Sequence, residues 1–391
     1  MRRPEWLSRN VGVLSLVSLF QDAASELIYP LLPLLLTVVL GAPAAVVGLT
    51  EGVAEGAAAL TKYVSGRASD RIGRKPLVTS GYGLAAVGKV FVAAATVWPV
   101  VLVGRVVDRF GKGVRGTPRD ALLAEGVAST SLGRVFGFHR MADTLGAVIG
   151  PLVALVILAA TGNDIRLALW IAVIPAVLSV GLTFLAREDQ PAHKVAKDPA
   201  LRTAVRAPLP AAFRSVVTVL VVIAVVNFPD ALVLLRVSEV GFTATGVTAA
   251  YVVYNVVYAA VSYPAGALSD RWPRSRVYAL GLACFAVGYL GLAFVGASWV
   301  VFVLLAVYGG FNGFTDGVGK AWISALVPTT VRGHAQGVFQ GLSGGAVLIA
   351  GLWAGLAWQT GPGDGVVPLL VAGTAATLAA GWMLTVGRRM G

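Results

Sequence analysis

Apolar residues in this chain run in long stretches, not in the alternation of a half-buried strand or the one-sided stripe of a soluble helix. Segments 216–226, 277–295 and 299–308 are almost wholly apolar, and similar runs recur between clusters of Gly, Pro or basic residues. A helix needs about 20 apolar residues to cross a bilayer. The pattern predicts twelve spans, at 11–40, 43–65, 76–97, 99–123, 135–160, 165–186, 213–236, 243–265, 277–296, 298–326, 335–358 and 366–386. The strands of a membrane barrel would be short and alternating. The predicted fold class is therefore an all-α membrane protein.

Composition supports a lipid solvent. Of 391 residues, 57% are hydrophobic and only 13% charged, and the mean hydropathy is +0.79. A water-soluble domain carries about 25% charged residues. The net charge of +12 does not indicate nucleic-acid binding, because the basic residues sit in the short segments between spans. Cys284 is the one cysteine, so no internal disulfide forms. The basic start at Met1, Arg2 and Arg3 resembles a signal peptide, but the apolar run behind it holds Asp22 and Glu26 and continues to about Leu40. It reads as an uncleaved first span.

Basic residues also set the orientation. Arg2, Arg3 and Arg9 precede span one, and Arg67, Arg71, Arg74 and Lys75 follow span two. Arg134 and Arg140, the basic residues of loop 187–212, then Arg271, Arg274, Arg276, Arg332, Arg388 and Arg389 continue the series on the same side. The opposite side has only Arg166 and Arg236. Both termini are expected in the cytoplasm, and the chain in the plasma (inner) membrane as a multi-pass protein. Trp6, Trp98, Trp170, Trp299 and Trp358 fall near span ends and read as interface anchors.

A repeat organises the spans. Gly66-Arg67-Ala68-Ser69-Asp70-Arg71-Ile72-Gly73-Arg74 returns 200 residues later as Gly266-Ala267-Leu268-Ser269-Asp270-Arg271-Trp272-Pro273-Arg274. The same offset relates Gly133-Arg134-Val135-Phe136-Gly137 to Gly333-His334-Ala335-Gln336-Gly337. The expected domains are a six-helix bundle at 1–186, a cytoplasmic central loop at 187–212 and a second six-helix bundle at 213–391, related by pseudo-symmetry.

These motifs resemble the major facilitator superfamily. Gly66 through Lys75 is similar, position by position, to that family's signature between helices two and three, and the second copy keeps Gly266, Asp270 and Arg271. Arg105-Val106-Val107-Asp108-Arg109-Phe110-Gly111 resembles its helix-four motif, with Arg109 where a glycine is usual. Gly146-Ala147-Val148-Ile149-Gly150-Pro151 resembles its antiporter motif. The resemblance covers essentially the whole chain. It implies twelve helices in two bundles, with helices one, four, seven and ten lining a central cavity.

The loop motif has a physical sense of its own. Its glycines allow close helix approach, Asp70 can accept hydrogen bonds at a helix end, and the arginines can latch a neighbouring helix by charge-assisted bonds. Gly66, Asp70, Arg71, Arg74, Asp270 and Arg271 are gating candidates on this reading, and simple anchoring of cytoplasmic loops is the alternative. Gly146, Gly150 and Pro151 bend or closely pack span five.

Ionisable groups inside spans are costly, at about 2.5–3.5 kcal/mol on insertion scales, so the default reading is functional. Asp22 and Glu26 share one face of span one; Arg105, Asp108, Arg109 and Lys112 share a stripe on span four. Counting about 1.5 Å per residue sets Asp22 at the depth of Arg109 and Glu26 at that of Arg105. This constellation is a proton-coupling or substrate-binding candidate, with a permanent packing salt bridge as the alternative. Glu55 and Lys89 reach similar depth and are expected to form a structural ion pair, and Glu51 is a further proton-carrier candidate. In span seven, Asn227-Phe228-Pro229-Asp230 can break the helix and free carbonyls for a ligand, which adds Asn227 and Asp230 to the binding candidates. Span ten offers Asn312, and Asp316 with Lys320 as a local pair and inner gate. Tyr251, Tyr254 and Tyr258 recur at helical spacing beside Asn255, either lining a cavity or packing inside the bundle.

The leading expectation is proton-driven export of a small organic molecule, drug-like compound or metabolite, by alternating access. Proton symport or facilitated uptake would use the same charges. Metal efflux is disfavoured, because His139, His193 and His334 lie in or near loops and no soft-ligand cluster exists. No cofactor is implied. A membrane sensor would need a long loop or soluble domain, and an enzyme would need a nucleophile–base set, a metal motif or a phosphate loop; none is visible. The expected partners are the substrate, protons and the bilayer, with no nucleic acid, and the expected state is a monomer.

Overall fold

The structure, a computed structural model, describes residues 4, 6–42, 44–162, 164–188, 209–242, 244–296, 298–358, 360 and 365–385. Most of the expected central loop and the side chains of Glu51, Arg67, Asp70 and Arg71 lie outside the described residues. Every regular element among the described residues is helical. The first, α1 (Arg9–Ile28), continues through a 3-10 turn (Tyr29–Leu31), an α turn (Leu32–Leu34) and a π turn (Leu35–Val39). Pro30 stands where regular α geometry gives way, as a residue without an N–H to donate should.

There follow α2 (Ala44–Ile72), α3 (Arg74–Ala94), α4 (Trp98–Leu123), α5 (Leu132–Thr161), α6 (Ile165–Thr183), α7 (Ala211–Ala224) and α8 (Asp230–Glu239). The remainder are α9 (Ala244–Ser269), α10 (Arg274–Phe294), α11 (Val300–Ala325), α12 (Arg332–Leu356) and α13 (Val366–Thr385). Helices α7 and α8 are one span interrupted at 225–229, so the described chain makes twelve spans. Eight helices are long and apolar enough to cross a membrane by length and composition. Helix α4 falls short because charges run along it from Arg105 to Asp120.

The chain divides into two compact units. Unit 1 comprises Met1–Val127, Ala142–Pro208 and Pro328–Gly341; unit 2 comprises Ala128–Met141, Leu209–Val327 and Leu342–Gly391. Helices α5 and α12 are thus each shared, with the first part of α5 in unit 2 and the first part of α12 in unit 1.

In unit 1, α3 and α4 meet along a glycine seam. A Cβ on Gly88 would lie 2.5 Å from the Gly104 carbonyl oxygen, and one on Gly111 would lie 2.5 Å from that of Gly81. Gly81 and Gly88 on α3, like Gly104 and Gly111 on α4, are seven residues apart, which keeps small residues on one face and lets the backbones touch. Gly146 and Gly150 of α5 press in the same way against the backbone of α1 at Leu19 and Ala23. In unit 2 the seam recurs on α10, where Gly281 and Gly288 face Thr315 and Tyr308 of α11. Gly81 and Gly88 match Gly281 and Gly288 at the 200-residue offset, so the repeat reaches into the packing surface itself.

The two arginines that break the charge asymmetry have local work to do. The Arg166 guanidinium donates to the carbonyls of Ala95 (2.8 Å) and Ala93 (3.4 Å), at the C-terminal end of α3. In unit 2, Arg236 donates to Leu292 (3.2 Å) and Ala293 (3.3 Å) at the end of α10. Each supplies a cation to orphan carbonyls at a helix C-terminus. At the other end of α3 the Glu188 carboxylate accepts from the backbone N–H of Arg74 (2.7 Å) and of Lys75 (3.1 Å). Large side chains such as Leu60, Val156, Leu356 and Leu378 are mostly exposed, as lipid-facing residues should be. Trp170 and Trp299 are exposed as expected of anchors. Trp358 departs from the expectation: it is buried, donates to Glu239 at 2.9 Å and packs edge-on against Phe228.

Candidate functional site

Unit 1 carries a column of charge on the inner face of α4. Lys89 Nζ stands 2.8 Å from Asp108 Oδ1, and Arg105 reaches Asp108 Oδ2 at 3.4 Å, with all three side chains buried. Arg109 pairs instead with Glu55, at 3.1 Å. The expected Glu55–Lys89 pair is therefore replaced by Lys89–Asp108 and Glu55–Arg109. The glycine seam is the reason. Gly88 sits directly on the backbone of Asp108, so the next residue, Lys89, meets that carboxylate before it can reach α2. Helix α2 packs on α4 at Gly113, against Ala58 and Thr61, and one turn earlier Glu55 meets Arg109.

The acids of α1 face this column, displaced by about one turn from the depth count. Asp22 has Asp143, Lys112 and Arg115 as its charged neighbours. Glu26 faces Lys112, Arg109 and Arg105. Asp143, on α5, is the principal residue that the motif reading missed. It accepts a hydrogen bond from Ser18, whose oxygen accepts in turn from Arg119 at 2.9 Å. Arg119 also pairs with Asp120 at 3.1 Å and stands 3.9 Å from Asp143. Gln340, in the part of α12 that belongs to unit 1, donates to Asp120 at 2.9 Å. Gly146 and Gly150 bring α5 onto α1, and Asp143 lies one turn before Gly146, so the antiporter-like motif places that carboxyl against Ser18 and Asp22. An acid inside a span was signal enough to single Asp143 out; its partner on α1 was not readable.

Unit 2 builds its polar cluster around the interrupted span. The break falls at Pro229, as the sequence predicts, and the freed carbonyls find donors: Trp353 Nε1 reaches Val225 at 2.8 Å, and Tyr289 reaches Phe228 at 3.4 Å. Asp230 opens α8. Its Oδ1 accepts from the Tyr308 hydroxyl at 2.7 Å and its Oδ2 from Tyr254 at 2.8 Å, while Asn312 donates to Tyr254 at 2.5 Å. A small pocket opens beside it, lined by Asp230, Tyr251, Tyr254 and Tyr308. Asn227 contributes a buried side-chain oxygen without a hydrogen-bond partner.

Deeper in the same unit, Asp316 accepts from Tyr258 at 2.6 Å and pairs with Arg140 at 2.8 Å; Lys320 stands 4.0 Å away. The expected local pair of Asp316 and Lys320 is present but secondary to Arg140. Tyr254 and Tyr258 are buried with bonded hydroxyls, and Tyr251 lines the pocket, so the tyrosine stripe both packs and lines a cavity. Tyr308 was not legible as a partner of Asp230, because nothing in sequence aligns α11 with the break in span seven.

Of the gating candidates, Asp270 has the best-defined role. Its oxygens accept from the backbone N–H of Gly133 (2.7 Å) and Arg134 (3.0 Å) at the start of α5, and Arg134 adds an ion pair at 3.8 Å. Gly133 and Gly266 touch backbone to backbone, which permits this approach. Arg274 donates to the Ser129 carbonyl at 2.7 Å, whereas Arg271 is exposed and takes no part in the contact. In unit 1, Gly66 packs on the backbone of Gly333 and Gly337, and Arg74 reaches the Thr329 carbonyl at 2.6 Å and Glu125 at 3.6 Å. The side chains of Asp70 and Arg71 lie outside the described residues.

Burial pushes the Asp270 carboxyl above its ordinary value, against the lowering pull of the two amides and of Arg134. A carboxyl raised in the folded protein contributes stability that is full below its unfolded value and is lost as pH rises through its folded value. Asp270→Ala, which leaves two helix-end donors without their acceptor, is expected to cost about 1–3 kcal/mol. Asp270→Asn keeps one acceptor, costs less and removes the pH dependence this residue contributes. Thermal unfolding across the mildly acidic range measures both effects.

Among the described residues no group of three or more His, Cys, Asp or Glu side chains could hold a metal ion. The model of the Major Facilitator Superfamily matches residues 14–235 and 231–389. An uncharacterised MFS-type transporter of Methanocaldococcus jannaschii is 30% identical over 364 residues, covering 91% of this chain and 90% of its own. The class G tetracycline resistance protein of Vibrio anguillarum is 25% identical over 356 residues, covering 85% of each. Among solved structures, a proton:xylose symporter superposes with a TM-score of 0.80 at 17% identity, over 96% of this chain and 94% of its own. The human organic anion transporter superposes with a TM-score of 0.77 at 16% identity, over the full length of both chains. At such identities the structural matches speak to the fold alone.

Proposed function

The chain belongs to the major facilitator superfamily and is a multi-pass membrane transporter, not an enzyme, and we propose that it exports a small organic molecule in exchange for protons. What supports this reading is the neighbourhood of two carboxyls, Asp22 on α1 and Asp143 on α5, within the spans of unit 1. Two neighbouring carboxyls repel one another when both are ionised, so a proton on one of them is favoured. Lys112 and Arg115 face the same pair and favour its release. A proton is therefore held or lost according to how closely α1 and α5 approach, and Gly146 and Gly150 set that approach. Glu26, beside Lys112, Arg109 and Arg105, offers a second acidic position on the route.

Export, as opposed to uptake, is favoured by the antiporter-like run Gly146 to Pro151 and by the tetracycline resistance relative. On this reading Arg105, Asp108 and Arg109 hold the charge balance inside unit 1, and Asp270 with Gly66 and Arg74 stabilises one of the arrangements that alternating access requires. The arginine distribution supports cytoplasmic termini in a plasma membrane.

The test uses everted vesicles holding the full chain, an imposed pH gradient with the interior acid, and tetracycline and ethidium as probes. Gradient-driven accumulation is expected with the natural chain. Asp22→Asn and Asp143→Asn are each expected to reduce it to the level of empty vesicles while leaving downhill exchange. Accumulation that persists in the double variant sinks the proton assignment, and accumulation only with the gradient reversed assigns symport.

A further inference from the structure

The last carbonyls of a helix lack partners and attract cations, and the end of α6 gathers more cations than those carbonyls need. Arg9 Nε donates to the Leu185 carbonyl at 3.1 Å, and Lys75 Nζ to the Phe184 carbonyl at 3.1 Å. These adjacent carbonyls draw the starts of α1 and α3 to one corner of unit 1. Asn10 fixes the chain that follows, donating to the Arg187 carbonyl at 2.7 Å and accepting from its N–H at 2.8 Å. The Arg187 backbone is thereby anchored, while its side chain is exposed and takes no partner among the described residues. The Glu188 carboxylate spends its oxygens on the amides of Arg74 and Lys75. Arg9, Lys75 and Arg187 bring three positive charges; Glu188 returns one, and a helix C-terminus about half of one. A net positive charge remains.

Donors remain as well as charge. Arg9 uses only its Nε in the contact with Leu185, and Lys75 uses one of the three hydrogens on its ammonium. Free guanidinium and ammonium hydrogens suit the oxygens of a phosphate. Exposed apolar surface leads to the same corner. Ile174, Val177, Leu178, Phe184 and Leu185 are exposed and recur at helical spacing along α6 and its last turn. Gly181 leaves open space within that stripe. A soluble anion gains nothing from such a track, whereas an acyl chain can lie along it. The repeat does not demand the cluster: at the 200-residue offset Arg9 and Lys75 correspond to Leu209 and Ser275.

We propose that the corner formed by Arg9, Lys75 and Arg187 is a binding site for an anionic phospholipid, its phosphate among the three basic side chains and an acyl chain along the exposed face of α6. A phosphate held there joins the starts of α1 and α3 to the end of α6, so the lipid stabilises the folded chain by binding it. The site is independent of the substrate carried and of proton exchange.

The delipidated full-length protein in dodecyl maltoside is titrated with dioleoylphosphatidylglycerol, and the rise of its unfolding temperature with lipid concentration gives the affinity. Dioleoylphosphatidylcholine supplies the same chains without net charge; glycerophosphoglycerol and inorganic phosphate supply the charge without chains. Only the phosphatidylglycerol is expected to raise the unfolding temperature markedly. Arg187→Gln is expected to weaken its binding by about fivefold, the worth of one basic side chain at an anionic surface. Arg9→Gln combined with Arg187→Gln is expected to weaken it by at least about tenfold, and Arg187→Lys, which keeps the charge, to retain most of it. Arg214→Gln, at the start of α7 in unit 2, is the control and is expected to change nothing. Should the double variant unfold early without lipid, Arg187→Gln decides alone, since its side chain has no partner to lose. Equal stabilisation by phosphatidylcholine overturns the proposal, and so does stabilisation by glycerophosphoglycerol or phosphate that matches the whole lipid. Absence of any effect of phosphatidylglycerol, or an effect that Arg187→Gln lowers no more than Arg214→Gln does, overturns it too.

Discussion

Replacing Lys89 with methionine is expected to destabilise the protein by about 3–5 kcal/mol, because it strands a buried carboxylate. Lys89 and Asp108 stand 2.8 Å apart with side chains 1% and 5% exposed, and Arg105 offers Asp108 only a longer contact at 3.4 Å. Methionine keeps the length and apolar stem of lysine, so the loss isolates the charge from the packing. Asp108→Asn in the Lys89→Met background removes the stranded charge and is expected to recover part of the loss, a non-additivity that identifies direct pairing. The check is thermal unfolding of the two single variants and the double in the same detergent. Equal melting temperatures for Lys89→Met and the natural chain would show that Arg105 alone suffices to balance Asp108. Glu55→Gln serves as the contrast: its carboxylate pairs with Arg109 but is half exposed, so its loss is expected to cost about 1 kcal/mol or less.

Gly88→Ala is the second large effect, and its informative control lies five residues away. A methyl group on Gly88 would sit 2.5 Å from the Gly104 carbonyl oxygen and 2.6 Å from the Asp108 nitrogen. Both are backbone atoms of α4, so α3 and α4 must part. Overpacking of this kind costs about 1–3 kcal/mol, and here it also lengthens the Lys89–Asp108 pair on the same seam. Gly83, on the same helix, has nothing within 4 Å of an added methyl group. Gly83→Ala is therefore expected to be neutral or stabilising by up to about 1 kcal/mol, the helix-propensity difference. Opposite signs for two identical substitutions in one helix, read by thermal unfolding, would establish the seam. Equal effects would mean that helix propensity, not close approach, governs both sites.

The glycine seam also explains where sequence reasoning stops. Span positions, the break at Pro229, the 200-residue repeat and the charge asymmetry were legible, because each follows from what one segment must do alone in lipid. A span must be apolar for its length; a proline must interrupt its ladder; a cytoplasmic loop must hold its arginines. That Asp22, Glu26, Arg105 and Asp108 are costly and therefore informative was equally legible.

Partners were another matter. Depth counted along straight helices placed Glu55 with Lys89 and Asp22 with Arg109. In the folded chain Lys89 meets Asp108, Glu55 meets Arg109, and Asp22 meets Asp143, which no motif had marked. Two charges at one depth can lie on faces that never meet. Which faces meet is set by where glycines let backbones touch: Gly88 on α4, Gly146 and Gly150 on α1. Sequence by itself determined that this is a twelve-span membrane protein built as a repeat, with charges it must use. The tertiary structure alone decided which charges neutralise one another, because helix rotation and tilt come from packing between segments.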